Sequence, residues 1–242
     1  RYDLFILSDH GQEPTRPAEE LLHGAGLMEW ILAAGRAASS GREIVSRTEN
    51  PDPFHPFCAA RLALGGGEDG RPPLVVAEAG DLAHVYFKDM EDAHDLETLR
   101  RRWPKELESV LACPASGIVA VRGGRSGFAF LRGRRVDLAE PGALRGVLDY
   151  DPELLRQALV EMISTPSAGD LVVFGAGVPG GDVAYAWEFG SHGGVGSGDV
   201  ASFLIHPSSI DLSALRHAGP LGLHSFFRTR YLDAEPDHRR DL

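Results

Sequence analysis

Apolar residues recur in short runs separated by glycine, proline and charged residues, the pattern of a chain that mixes strands with helices. The first run, Tyr2 to Leu7, holds five apolar residues. It is too short for a helix and predicts a buried parallel strand. Glu13 to Pro17 reads as a loop, and Ala18 to Ala38 carries Leu21, Leu22, Leu27, Trp30, Ile31 and Ala34 at helical spacing. Gly24 and Gly26 are where that helix would break or bend. From Ser39 to Pro73 the pattern fades into an irregular excursion, with a second helix expected over Phe57 to Leu64.

Strands are expected at Leu74 to Ala79 and Leu82 to Lys88, joined by a tight turn at Gly80-Asp81. One or two helices come next over Asp95 to Leu111, with Pro104 suited to opening the second. Gly117 to Arg122, Gly127 to Arg132 and Arg134 to Leu138 predict a β-meander. Asp151-Pro152-Glu153 is an N-cap, a first-turn proline and an acid in the favoured order, and starts a helix running to about Ile163. Further strands are expected at Asp170 to Phe174, Val183 to Phe189 and Val200 to Ile205. A helical turn is expected at Leu212 to Ala218, and the polar tail after Ala234 should fray.

Composition narrows the function. A 43% hydrophobic chain of 242 residues can build a proper core. Its net charge of −11 argues against binding nucleic acid through a basic surface. A phosphate substrate stays open, because bound divalent cations reverse a local field. Cys58 and Cys113 are too few for a disulfide framework, and two reduced thiols are expected, with a single bridge as the alternative. No apolar run reaches the roughly 18 residues that span a membrane, and no signal peptide is visible, so a cytoplasmic location is the default expectation.

The candidate chemistry sits in two stretches. Ser8-Asp9-His10-Gly11-Gln12 places a carboxylate and an imidazole together at the end of the first strand. Gly190-Ser191-His192-Gly193-Gly194 sets another imidazole among small residues far downstream. Carboxylate and neutral imidazole are good ligands for a zinc-like ion, and glycine lets backbone lie close to an ion or a phosphate. Asp9 and His10 would face opposite ways on a regular strand, so the strand must end by Ser8 for them to converge. Glu188 is a candidate acceptor for a ligating imidazole, Gln12 a candidate orienting group, and Ser191, Ser197 and Asp199 candidate cleft residues. The segment Gly175-Ala176-Gly177-Val178-Pro179-Gly180 satisfies a dinucleotide fingerprint, but Val183 to Trp187 just beyond it reads as a strand and not a helix, so a turn is expected there.

As a pair, the two stretches resemble the alkaline phosphatase superfamily, in particular its type I phosphodiesterase/nucleotide pyrophosphatase branch. The resemblance implies a three-layer α/β sandwich with a mainly parallel sheet, interrupted by a small α+β cap insertion. On that expectation 1–38 and 139–232 form the phosphoesterase domain, 39–138 the insertion, and 233–242 a tail. It further implies two divalent metal ions, zinc or, as the alternative, manganese, with Asp9 and His10 on one ion and His192 on its neighbour. The family's Ser or Thr nucleophile and remaining ligands lie upstream of the Asp-His-Gly motif, whereas only eight residues precede Asp9 here and the chain opens with Arg1. The expectation is therefore the C-terminal portion of a metal-dependent hydrolase of a small phosphate ester, inactive by itself, with any membrane attachment residing upstream. A non-catalytic α/β binding module that keeps the fold, or a phosphomutase of the same superfamily, is the alternative.

Overall fold

The structure, a computed structural model, describes residues 2–36, 44–48, 61–65, 74–87, 94–147, 151–185, 190–215 and 219–233. In chain order its elements begin β1 (Ile6–Leu7), β2 (Glu13–Pro17), α1 (Ala18–Leu21), α2 (Leu27–Arg36), β3 (Ile44–Thr48) and β4 (Arg61–Gly65). Next come β5 (Leu74–Ala79), β6 (Leu82–Phe87), α3 (Leu96–Arg102), α4 (Pro104–Leu111), β7 (Ser116–Val121), β8 (Phe128–Leu131) and β9 (Arg134–Asp137). The chain continues through α5 (Pro152–Ser164), β10 (Leu171–Gly175), β11 (Gly177–Val178), β12 (Gly181–Ala184), β13 (Gly190–Ser191) and α6 (Ser197–Val200). It ends with β14 (Leu204–Ile205), a 3-10 turn at Ser213–Leu215, α7 (Gly219–Phe227) and a π turn at Arg228–Leu232.

Two compact units result, one of residues 9–202 and one of 1–8 with 203–242. These boundaries differ from the expected ones at 38 and 139. Strand β10, expected in the phosphoesterase domain, lies hydrogen-bonded between β6 and β7, both expected in the insertion.

The larger unit is built on an eight-stranded sheet in the order β3-β4-β5-β6-β10-β7-β8-β9. The chain is mixed α/β, but the mainly parallel sheet is corrected: every neighbouring pair in this sheet is antiparallel. Tight turns enforce that direction, since parallel neighbours need a long crossover. Gly80 and Asp81 alone join β5 to β6, and Arg132 and Gly133, at φ +48° and +82°, join β8 to β9 as a primed hairpin turn. Continuous apolar runs such as Leu171–Gly175 suggested parallel strands because they are buried on both sides. Here both sides are buried by helices instead.

Successive residues of one strand serve two cores. Val119, Val121, Leu171 and Val173 join α2, α3 and α4 through Leu27, Ile31, Leu96, Leu99, Leu107 and Val110. Ile118, Ala120, Val172 and Phe174 join α5 through Leu155, Leu159 and Ile163. Each buried Val, Leu, Ile or Phe side chain among them contributes about 1.5–3 kcal/mol of apolar transfer energy. Polar ties fix the layers. Trp30 Nε1 donates to the Ser109 carbonyl at 3.0 Å, linking α2 to α4. The Arg122 guanidinium donates to the carbonyls of Thr165, Ala168 and Gly169 ahead of β10. Asp151 caps α5 by accepting from the Glu153 amide at 2.9 Å.

Several local expectations are revised. Glu13–Pro17 is not a loop but strand β2, parallel to β12 and antiparallel to β13 in a second, four-stranded sheet. The helix over 18–38 is split, with His23 and Gly24 at positive φ between α1 and α2. The helix expected at 57–64 is contradicted at its C-terminal end, where Arg61–Gly65 forms strand β4; residues 57–60 lie outside the described residues. Of the strand expected at 183–189, residues 186–189 lie outside them too. The strand expected at 200–205 is reduced to Leu204–Ile205 after the turn of α6. The dinucleotide-like glycines form a β11–β12 hairpin.

In the smaller unit, Ile6 and Leu7 pair antiparallel with Ile205 and Leu204. The buried parallel strand expected at Tyr2–Leu7 is thereby corrected. Tyr2, Leu4, Ile6 and Leu7 are exposed, Ile6 and Leu7 at 47% each, because only one strand flanks β1. Phe5 packs edge-on against Phe227 and Tyr231, and the Tyr231 hydroxyl donates to Asp3 at 2.8 Å.

Candidate metal centre

Strand β1 ends at Leu7, and the chain curls through Asp9 and His10 within the larger unit. The His10 amide donates to Asp9 Oδ1 at 3.1 Å, which folds the carboxylate back toward its neighbour. His10 Nδ1 lies 2.7 Å from the Gly11 carbonyl. A carbonyl only accepts, so Nδ1 carries the proton and a neutral ring keeps its lone pair on Nε2. That nitrogen is 3.5 Å from Asp9 Oδ2. Two ligands at about 2.0–2.1 Å from one tetrahedral ion stand roughly 3.3–3.4 Å apart, so this separation fits a shared zinc-like ion.

Gly11 holds the curl in place. Its amide donates to the Asp199 carbonyl at 2.9 Å, and a Cβ here would overlap the Gly198 carbonyl oxygen. Glu13, two residues on, accepts from the Gly198 amide at 2.7 Å. The first motif is thus fastened to the glycine-rich loop just beyond the second.

His192 comes directly after β13, whose Gly190 and Ser191 pair with Pro14 and Glu13. The hairpin turn at Gly80 supports it from the other side, where a Cβ would overlap Ser191 Oγ and the His192 carbonyl. The rings of His192 and His10 stack, with centroids 3.9 Å apart and planes inclined by 25°. Asp9, His10 and His192 are therefore brought together at one exposed or half-exposed position. Gln12 is exposed, Ser197 is exposed and Ser191 is buried with its hydroxyl 3.3 Å from the His192 carbonyl. Glu188 lies outside the described residues.

Beside this pair stands a cluster with no counterpart in the two motifs. Asp81 from the β5–β6 turn, Asp182 from β12 and Asp199 from α6 each offer a carboxylate oxygen, all within 4.8 Å of one another. Asp81 is 0% and Asp199 3% exposed, and Asp182 is half-buried. Burial raises the Asp182 carboxyl above the usual carboxylate range, and the charges of Asp199 and Glu13 push it further. Burial likewise raises Asp199; Glu13 adds to the shift, while the nearby Asp81 carboxyl, His192 and the Gly194 amide offset part of it.

The loop 193–198 is shaped around these oxygens. A Cβ on Gly194 would overlap Asp199 Oδ2, one on Gly196 would lie 2.5 Å from Asp182 Oδ2, and one on Gly198 would overlap Glu13 Oε1. Glycine at alternate positions lets the backbone follow a wall of carboxylates. Sequence reasoning placed Asp199 in the cleft but missed Asp81, Asp182 and Glu13. The one local signal was that alternation, Gly194-Val195-Gly196-Ser197-Gly198-Asp199. A separate cleft of about 530 Å³, lined by Glu108, Cys113, Ser116, Arg132 and Val178 among others, includes none of these residues.

Compared with known proteins, the chain matches no protein-family model and has no significant match to a curated protein or a solved structure, so the functional reading rests on the chemistry of the site itself.

Proposed function

We propose that the chain carries part of the active site of a metal-dependent phosphoric-ester hydrolase of phosphodiesterase, phosphatase or nucleotide pyrophosphatase type. Asp9 and His10 would hold one zinc-like ion and His192 a second. The observation that carries this reading is the His10–His192 stack, which sets two imidazoles from distant motifs face to face, 3.9 Å apart and inclined by 25°. That spacing suits two ions about 3.5–4 Å apart, the separation that clamps both oxygens of an in-line phosphoryl displacement. When bound, the ions would offset phosphate charge against a chain of net charge −11.

The chain's own residues do the positioning. The Gly11 carbonyl fixes the His10 tautomer, and the Gly80 turn backs the His192 loop. On the superfamily resemblance, the nucleophile and the remaining ligands would come from outside these two motifs. The reading rests on the site and not on strand direction, which departs from that family's sheet.

Zinc titration of the 242-residue chain tests it. Binding is expected, weakened at least about tenfold by His10→Ala and by His192→Ala. A folded chain that takes up no Zn²⁺ would favour the non-catalytic binding module. Turnover of a nitrophenyl phosphate by this chain alone would contradict an upstream nucleophile.

A further inference from the structure

We infer that Asp81, Asp182 and Asp199 form a second cation site, selective for a hard divalent ion of calcium type, which pins the glycine loop carrying His192 to the β5–β6 turn and to β12.

The donor set decides the metal class. Three carboxylates with no imidazole or thiolate suit calcium, magnesium or manganese over zinc. All three donor oxygens lie within 4.8 Å of one another, close to the spacing of oxygens that stand about 2.3–2.6 Å from one calcium ion. Crowded acids alone would not carry a site. The independent observation is Asp199, 3% exposed, whose two oxygens are fully buried and, among the described residues, accept no hydrogen bond of ordinary geometry while facing the other carboxylates. A buried carboxylate without a well-placed donor is costly, and native interiors supply either donors or a cation. The Gly194 amide acts on this carboxylate without reaching ordinary hydrogen-bond geometry.

The three ligands come from three separate segments, a hairpin turn, a strand of the second sheet and the turn of α6. One ion between them would cross-link the wall on which loop 193–198 lies. Its effect on His192 is positional. The inference does not depend on the phosphoesterase reading, and the two separate experimentally by metal and by variant.

The test is calorimetric titration of the EDTA-stripped 242-residue chain with CaCl₂ and, separately, MgCl₂, with thermal unfolding in parallel. Calcium is expected to bind near one equivalent and to raise the melting temperature. Asp182→Asn, at a half-buried position, should weaken calcium at least about tenfold, whereas His192→Ala should leave it within about twofold. Asp199→Asn should behave like Asp182→Asn; if circular dichroism shows it unfolded, the Asp182 variant decides. A folded wild-type chain that binds neither calcium nor magnesium overturns the inference, as does unchanged calcium affinity in Asp182→Asn. Equal loss in His192→Ala would assign the ion to the histidine pair and overturn a separate site.

Discussion

Gly196 meets Asp182 so closely that a Cβ on the glycine would lie 2.5 Å from the carboxylate Oδ2. The glycine's own backbone is unstrained, at φ −63° and ψ 153°. Its requirement is therefore one of space, imposed by a side chain from strand β12. Gly196→Ala is expected to destabilise the chain by about 1–3 kcal/mol, the usual cost of overpacking. Urea unfolding measures it, and adding Asp182→Ala should recover part of the loss. Full additivity of the two substitutions would mean that the two groups do not meet.

His84 links pH to stability. The Gly169 amide donates to His84 Nδ1 at 3.0 Å, a bond that only an unprotonated nitrogen accepts. Burial, and after it the Arg122 charge, lower the His84 pKa below its ordinary value of 6.5. With a depressed folded value, the unfolded chain binds the proton first as pH falls. Stability should be complete above about pH 6.5 and decline on acidification until the folded value is passed. His84→Gln, which keeps an acceptor, should flatten the slope between about pH 6.5 and 5 in urea melts. An unchanged slope would assign the acid response to other groups.

Cys113 is buried and unbridged, and burial pushes its thiol up, against partial offset from the Ala115 and Ser116 amides and the Ser116 hydroxyl. Thiolate is the reactive form, so native Cys113 should resist alkylation. Peptide mapping after a timed pulse of iodoacetamide should show labelling at least about tenfold slower in buffer than in denaturant. Comparable rates in the two would place the thiol at the surface.

Elements punctuated by their own residues were legible in the amino-acid order. Asp151-Pro152-Glu153 starts α5, Pro104 starts α4, and Gly80-Asp81 turns β5 into β6. Each depends on backbone and side-chain chemistry within a few residues. Two glycine-flanked histidines could also be singled out as a pair, and the fold stacks them.

Strand direction was not legible. The run Leu171–Gly175 reports burial on both faces, and both a parallel sheet and an antiparallel sheet between helices satisfy that. Pairing partners decide between them, and these are set by which hairpins close and by where β10 inserts. The exposure of Tyr2, Leu4, Ile6 and Leu7 was hidden for the same reason, since hydrophobicity does not say how many neighbours a strand finds. Asp81, Asp182 and Asp199 share no spacing, because a β-turn, a sheet strand and a helical turn meet only after the chain has packed. The amino-acid order determined the local turns, caps and helix faces, because their causes lie within a few residues. Tertiary structure alone decided which carboxylates share one space, because that proximity comes from contacts between distant segments.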